Sequence, residues 1–226
     1  MGGRTLKKRL ERLFLEEPWQ EVPTDLAGVP PRQSINALIS FFCSMNPLLK
    51  WRAVSAAGSV VAGLAEHSPE EARVIMRRLM WTLNDESGGI GWGAPEAMGD
   101  IMAKSPLLSQ EYNRILVSYL DEDGNYLEHE PLQNGLLWAV HRLAGVYPER
   151  IIRAAAFTRP FLSSTDPEKR GLACLIAGEL NDRDAEGGLK DLLQDSEKID
   201  VYSHGYFRQK TIQCLAEQSL KRIVSP

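Results

Sequence analysis

The sequence predicts an all-α protein, an α-α superhelix (a right-handed solenoid) of about five helical pairs with a capping helix in front. Three observations predict it. Apolar residues recur at helical spacing over about 34–45, 69–83, 107–120, 148–162 and 184–193. Each of these stretches is followed by a turn and a second helix rich in small residues, beginning near Trp51, Ala94, Pro131, Lys169 and Phe207, some 37–43 residues apart. Finally, no run of alternating β-branched residues bounded by turns reads as a strand. One helical pair cannot bury its apolar face alone, whereas stacked pairs can.

The N-terminal 33 residues form a region of their own, a helix and a Pro-rich tether. Leu6, Leu10, Leu13 and Phe14 share one helical face, and Lys7, Lys8, Arg9 and Arg12 surround it. Such a basic amphipathic helix either caps a neighbouring core or touches anions or a membrane, and the capping reading is preferred. Pro18, Pro23, Pro30 and Pro31 break regular structure, so 18–32 reads as an ordered tether. Residues 34–226 are then expected to form one continuous repeat domain. Small residues on its second helices, as in Ala53-Val54-Ser55-Ala56-Ala57-Gly58, let neighbouring helices approach closely.

The segment 169–180, KRGLACLIAGEL, resembles the second helix of a HEAT-like repeat, the type found in phycobilin lyases and many bacterial scaffold proteins. Trp51-Arg52 and Phe207-Arg208 repeat its opening of an aromatic or long residue followed by Arg. The segment 84–98, NDESGGIGWGAPEAM, resembles one in an uncharacterised bacterial HEAT-repeat family. The resemblance covers about 34–220 and implies the fold; it brings no activity with it.

Bulk properties narrow the function classes. Of 226 residues, 43% are hydrophobic and 25% charged, as in ordinary soluble proteins. The formal net charge of −4 supplies no global field for nucleic acid. Cys43, Cys174 and Cys214 are odd in number and far apart, which argues for a reducing compartment rather than a disulfide framework. No apolar run approaches the roughly 20 residues that span a bilayer, and the N-terminus lacks a signal-peptide pattern. The expectation is a cytoplasmic protein without a membrane span.

In a stack of pairs, the turns inside the pairs line up along one edge. That edge would gather Trp51, Arg52, Trp92, Glu96, Glu128, His129, Glu130, Arg170, His204, Tyr206 and Arg208, with five helix N-termini whose free N–H groups favour anions. The turn at 84–93 is the most elaborate. Gly88, Gly89, Gly91 and Gly93 permit positive φ and close backbone approach. Pro95 suits a first helical turn, and the Glu96 carboxylate would meet the positive end of the helix. Two readings stand level: a backbone cradle for a ligand with Trp92 as a lid, or a tight loop whose Trp92 plugs a gap. The spacing is neither GxGxxG nor a P-loop ending in GK[ST].

Asp121, Asp123, Gly124 and Asn125 mimic the start of an EF-hand, but Tyr126 and Leu132 stand where the turn glycine and the bidentate Glu belong. Glu128, His129 and Glu130 resemble one of the iron-binding His-Glu pairs of deoxyhypusine hydroxylase, a family that needs several such pairs. His204 would supply a second imidazole, and the set would suit Fe or Zn. The competing reading is a solvated acidic turn. Trp138 and His141, three apart, either reach the concave surface or pack in the core. Trp81 and Cys43 read as core, and no local triad accompanies Cys174 or Cys214. Arg170 and Arg208 read as partners of neighbouring acids.

The leading function is a binding or scaffolding module holding a protein or small anionic ligand, with no cofactor, through Trp51, Arg52, Gly89, Gly91, Trp92, Glu96, Trp138, Tyr206 and Arg208. An enzyme or metalloprotein using Glu128, His129, Glu130 and His204 is the alternative, and enzymatic activity is otherwise not expected. Nucleic-acid binding, as in HEAT-like alkyl-base glycosylases, ranks third because a Lys/Arg excess is missing.

Overall fold

Proline sets the start of most helices. It occupies one of the first two positions of seven of them, where its missing N–H costs no hydrogen bond and its fixed φ is already helical. The structure, a computed structural model, describes residues 2–21, 26, 28–84 and 90–224. In chain order the helices are α1 (Gly3–Leu15), α2 (Pro31–Ile39), α3 (Pro47–His67), α4 (Pro69–Trp81), α5 (Ala94–Lys104) and α6 (Pro106–Ser118). There follow α7 (Glu130–Ala144), α8 (Ala154–Thr158), α9 (Pro167–Glu179), α10 (Glu186–Asp191) and, after a hairpin of β1 (Lys198–Ser203) and β2 (Tyr206–Thr211), α11 (Ile212–Val224). Asn46 and Asp166 cap α3 and α9 by accepting from Leu49 N at 3.2 Å and Glu168 N at 2.8 Å. The chain is predominantly helical, and among the described residues no helix is long and apolar enough to cross a membrane.

The chain packs as two units, residues 1–109 with 204–206, and residues 110–203 with 207–226. In the first unit α3 is the central element. Its 21 residues pack against α1, α2, α4 and α5, which is why it is buried nearly all round and not along one stripe. Leu6, Leu10 and Phe14 of α1 are fully buried, so the apolar face of this basic helix is spent on α2 and α3. In the second unit α7, α9 and α11 pack side by side over a core that includes Cys174, Ala177, Leu189, Ile212 and Ala216. Gly178 permits that approach: a Cβ there would lie 2.6 Å from Ser219 Oγ and 3.0 Å from its Cα.

Three expectations are corrected. A hairpin occupies 198–211, where the sequence reading saw no strand and began a helix near Phe207; the helix begins at Ile212. His204 (φ 50°) and Gly205 (φ 87°) both adopt left-handed backbone, the requirement of a two-residue hairpin turn. Second, the helix expected over 148–162 is broken into a 3-10 turn, the short α8 and another 3-10 stretch containing Pro160, which cannot donate to a helical ladder. Third, the helix expected over 184–193 shrinks to α10, flanked by 3-10 turns and weakened by Gly187 and Gly188.

Candidate functional site

The turn edge of the first unit is built from the ends of α2 and α4 and the starts of α3 and α5. Gly91 (φ 74°) and Gly93 (φ 73°) are left-handed, and each also touches something a side chain would displace. A Cβ on Gly91 would lie 2.6 Å from Thr82 O, and one on Gly93 would lie 2.7 Å from Phe42 Cβ. The α4–α5 turn is thereby pressed on both the end of α4 and the α2–α3 turn. Gly93 is the N-cap of α5, and Glu96 sits in the first turn of that helix, where the dipole favours its charge. Lys50 Nζ of α3 reaches Glu96 Oε1 at 2.7 Å and lies 5.5 Å from the Trp51 ring centre. Glu96 is buried, and its second oxygen, Oε2, has no hydrogen-bond partner among the described residues. On the same helix ends and turns large apolar side chains stand in solvent: Met45 is 96% exposed, Trp81 55%, Ile90 49% and Trp92 37%.

The sequence reading placed Arg52 on this edge. Arg52 is fully buried instead. Its guanidinium donates to Phe14 O at 2.8 Å, to Gly205 O at 3.0 Å and to the Glu17 carboxylate. The Trp19 and Tyr206 rings lie 5.4 and 5.2 Å from it. The Tyr206 hydroxyl donates to Glu17 Oε2 at 2.7 Å. Hydrogen bonds from Arg52 and then from Tyr206 hold the Glu17 carboxyl below its usual range, and Glu17 raises the Tyr206 phenol. Arg52 is thus a structural tie, while Tyr206 keeps part of its ring exposed. Deeper along α5, Lys104 Nζ bonds Asp100 Oδ2 at 2.5 Å, Ser55 O at 3.0 Å and the Glu21 carboxylate.

In the second unit Trp138 is a core residue and lines no open surface. It is 5% exposed, its indole N–H donates to Tyr202 O at 3.2 Å, and the Tyr202 ring lies 6.3 Å away. The helix heads of this unit are tied by polar pairs. Asn134 Nδ2 reaches Glu168 at 2.9 Å and Asp166 at 3.1 Å, and Lys169 Nζ reaches Gln133 Oε1 at 2.8 Å. Arg170 donates to Asp195 Oδ2 and to Ser164 O, both at 2.8 Å. Arg208 is exposed on β2 and does not open a helix. Burial raises the Cys174 thiol to about 12, so it carries no thiolate at neutral pH.

Glu128 and Glu130 are exposed and flank His129, the N-cap of α7; these three belong to the second unit, and His204 belongs to the first. Among the described residues no three His, Cys, Asp or Glu side chains come together as a metal-holding group. Gly89 lies outside the described residues. Trp81 and Cys43, read as core, are exposed: the apolar stripe of α4 is Ala72, Ile75, Met76 and Leu79, and Trp81 falls off it. The sequence reading also missed Met45, Lys50 and Ile90; the signal was their position beside the aromatic residues of the two turns.

No family model matches the chain. An uncharacterized protein of Archaeoglobus fulgidus is 34% identical over 85 residues, 38% of this chain and 43% of that protein, so the chain matches less than half the length of that relative. Solved structures match nearly end to end. Computationally designed armadillo repeat proteins for modular peptide recognition give a TM-score of 0.55 at 14% identity, over 97% of this chain and 92% of theirs. A designed armadillo repeat protein in complex with the peptide (KR)4 gives 0.51 at 15% identity, over 95% and 98%. An engineered protein gives 0.54 at 16% identity, over 99% and 92%. The chain therefore has an armadillo-like helical-repeat fold; at these identities the likeness concerns the fold alone.

Proposed function

We propose that the chain is a protein-binding scaffold of the HEAT-like or armadillo-like kind, and that the turn edge of its first unit seats an extended segment of a partner protein. One observation carries this reading: Met45 on the α2–α3 turn, Trp81 at the end of α4 and Ile90 and Trp92 before α5 leave large apolar surface in water, on segments that Gly91 and Gly93 bring into contact at Thr82 and Phe42. Exposed aromatic and Met side chains are what interface hot spots are made of. Left-handed Gly91 and Gly93 and the Phe42–Gly93 contact seat residues 91–93 against the α2–α3 turn, which lowers the ordering cost of binding there. The designed armadillo proteins of the same fold, made for peptide recognition, support a peptide-sized occupant.

The test is selection of binders from a displayed random-peptide library, followed by titration of the enriched peptides against wild type and Trp92→Ala. Enriched peptides are expected to bind in the micromolar range and to lose about tenfold or more on Trp92→Ala. Selection that enriches nothing, or peptides that bind both proteins equally, would overturn the reading.

A further inference from the structure

Helix α2 is flanked by two grooves that meet at Pro30 and Arg32. The first, of about 730 Å3, lies between α1 and α2. Its cations are Arg4 and Lys7 on one wall and Arg32 on the other, with Gln33, Asn36 and Ser40 as polar lining, and among the described residues no carboxylate lines it. Arg4, Lys7 and Arg32 are exposed, and none forms an ion pair among the described residues. The second groove, of about 670 Å3, lies between α2, the end of α3 and α4; Pro31, Ile35, Leu64, Val74 and Ile75 line it with apolar surface, and Arg32, Arg78 and the lone carboxylate among its described lining, Glu71, are its charged residues. Val74 is more than half exposed.

We propose that these joined grooves bind an acidic peptide segment in which one bulky apolar residue adjoins a short run of Asp or Glu. The apolar side chain enters the groove beside Val74, and the acidic run lies between α1 and α2. The shape fits a chain better than a small anion. Arg4 and Lys7 stand on α1 and Arg32 on α2, so positive residues line both walls. The lining of α2 from Arg32 to Ser40 extends about 12 Å, the length of roughly four extended residues. A lipid surface fits poorly, because the apolar face that α1 would insert is already buried through Leu6, Leu10 and Phe14. The start of α2 at Pro31 adds the positive end of its dipole at the junction of the grooves. This surface shares no lining residue with the exposed set of the turn edge, and the proposal stands on its own residues.

Fluorescence anisotropy of a labelled peptide with one leucine followed by four glutamates tests it. Against the wild-type chain the peptide is expected to bind in the micromolar range and to weaken steeply between low and high salt. R4E/K7E and, independently, R32E should weaken it about tenfold, and V74D or replacement of the peptide's leucine by serine should weaken it several-fold. W92A should leave it unchanged, which separates this surface from the turn edge. All four altered residues other than Trp92 project from exposed positions, and an unchanged thermal melt verifies that each variant folds. Equal binding of a peptide with lysines for glutamates, absence of binding to the wild type, or indifference to both charge reversals would each overturn the proposal.

Discussion

In the first unit a guanidinium occupies the interior, and several large apolar side chains face water. Arg52 is buried among backbone carbonyls and Glu17, whereas Met45, Trp81, Ile90 and Trp92 are exposed. In the second unit the arrangement is reversed. Trp138 is enclosed with its N–H satisfied, and the polar groups at the helix heads are tied to one another by Asn134, Lys169 and Arg170. Of the large hydrophobic residues exposed among the described residues, only Val146 and Ile152 belong to the second unit. The same repeat pattern therefore serves two ends: in the second unit a stack that encloses its tryptophan, and in the first a surface that leaves large apolar side chains in water. The proposed partner surface belongs to the first unit for this reason.

The largest effect expected from this contrast concerns two arginines near the starts of α3 and α9. Arg52→Ala takes the donor from the buried Phe14 and Gly205 carbonyls and should cost about 2–4 kcal/mol. Arg170→Ala, at a partly exposed pair, should cost about 1–2 kcal/mol. Urea unfolding of both variants checks the order; equal losses would erase the distinction between the units.

Next comes pH. Burial lowers the His141 imidazole to about 4, with Glu179 acting against that and Arg142 and Arg222 acting with it, and Nδ1 is buried without a hydrogen-bond partner among the described residues. The unfolded chain binds this proton at about 6.5 while the folded chain does not. The stabilisation is therefore fully present above pH 6.5 and is lost as pH falls towards 4, by up to about 1.4 kcal/mol per pH unit. Denaturant melts between pH 4 and 7 should follow that slope, and His141→Leu should flatten it. A smaller loss, about 1–3 kcal/mol, is expected for Gly178→Ala, which forces a Cβ against the Ser219 backbone of α11. A neutral result would mean that α9 and α11 can separate without cost.

The helical repeat was legible because its signals are local. Prolines mark helix starts, and small residues mark the faces where helices meet, as at Gly178. The prominence of the 84–98 turn was legible for the same reason, since Gly91 and Gly93 need both positive φ and space. Arg52 was misread because its partners lie far away in sequence: Phe14 is 38 residues off and Gly205 is 153. At a helix head, a Trp-Arg pair looks the same whether the arginine turns inward or outward. The hairpin was missed because its strands carry Lys, Asp, Ser, Arg and Gln, and only Ile199 and Tyr202 of β1 are buried. His204-Gly205 was read as a metal ligand and its neighbour, when the pair forms the left-handed turn. Trp138 was ambiguous on helix periodicity alone; the Tyr202 carbonyl that accepts its N–H, 64 residues away, explains its burial.

Amide hydrogen exchange, with and without a peptide selected on the wild-type chain, tests the partner surface most directly. The account predicts that protection rises at 42–52 and 90–97 and stays unchanged at the heads of α7 and α9. Protection centred on α7 and α9, or unchanged exchange across both turns of the first unit at saturating peptide, would contradict it.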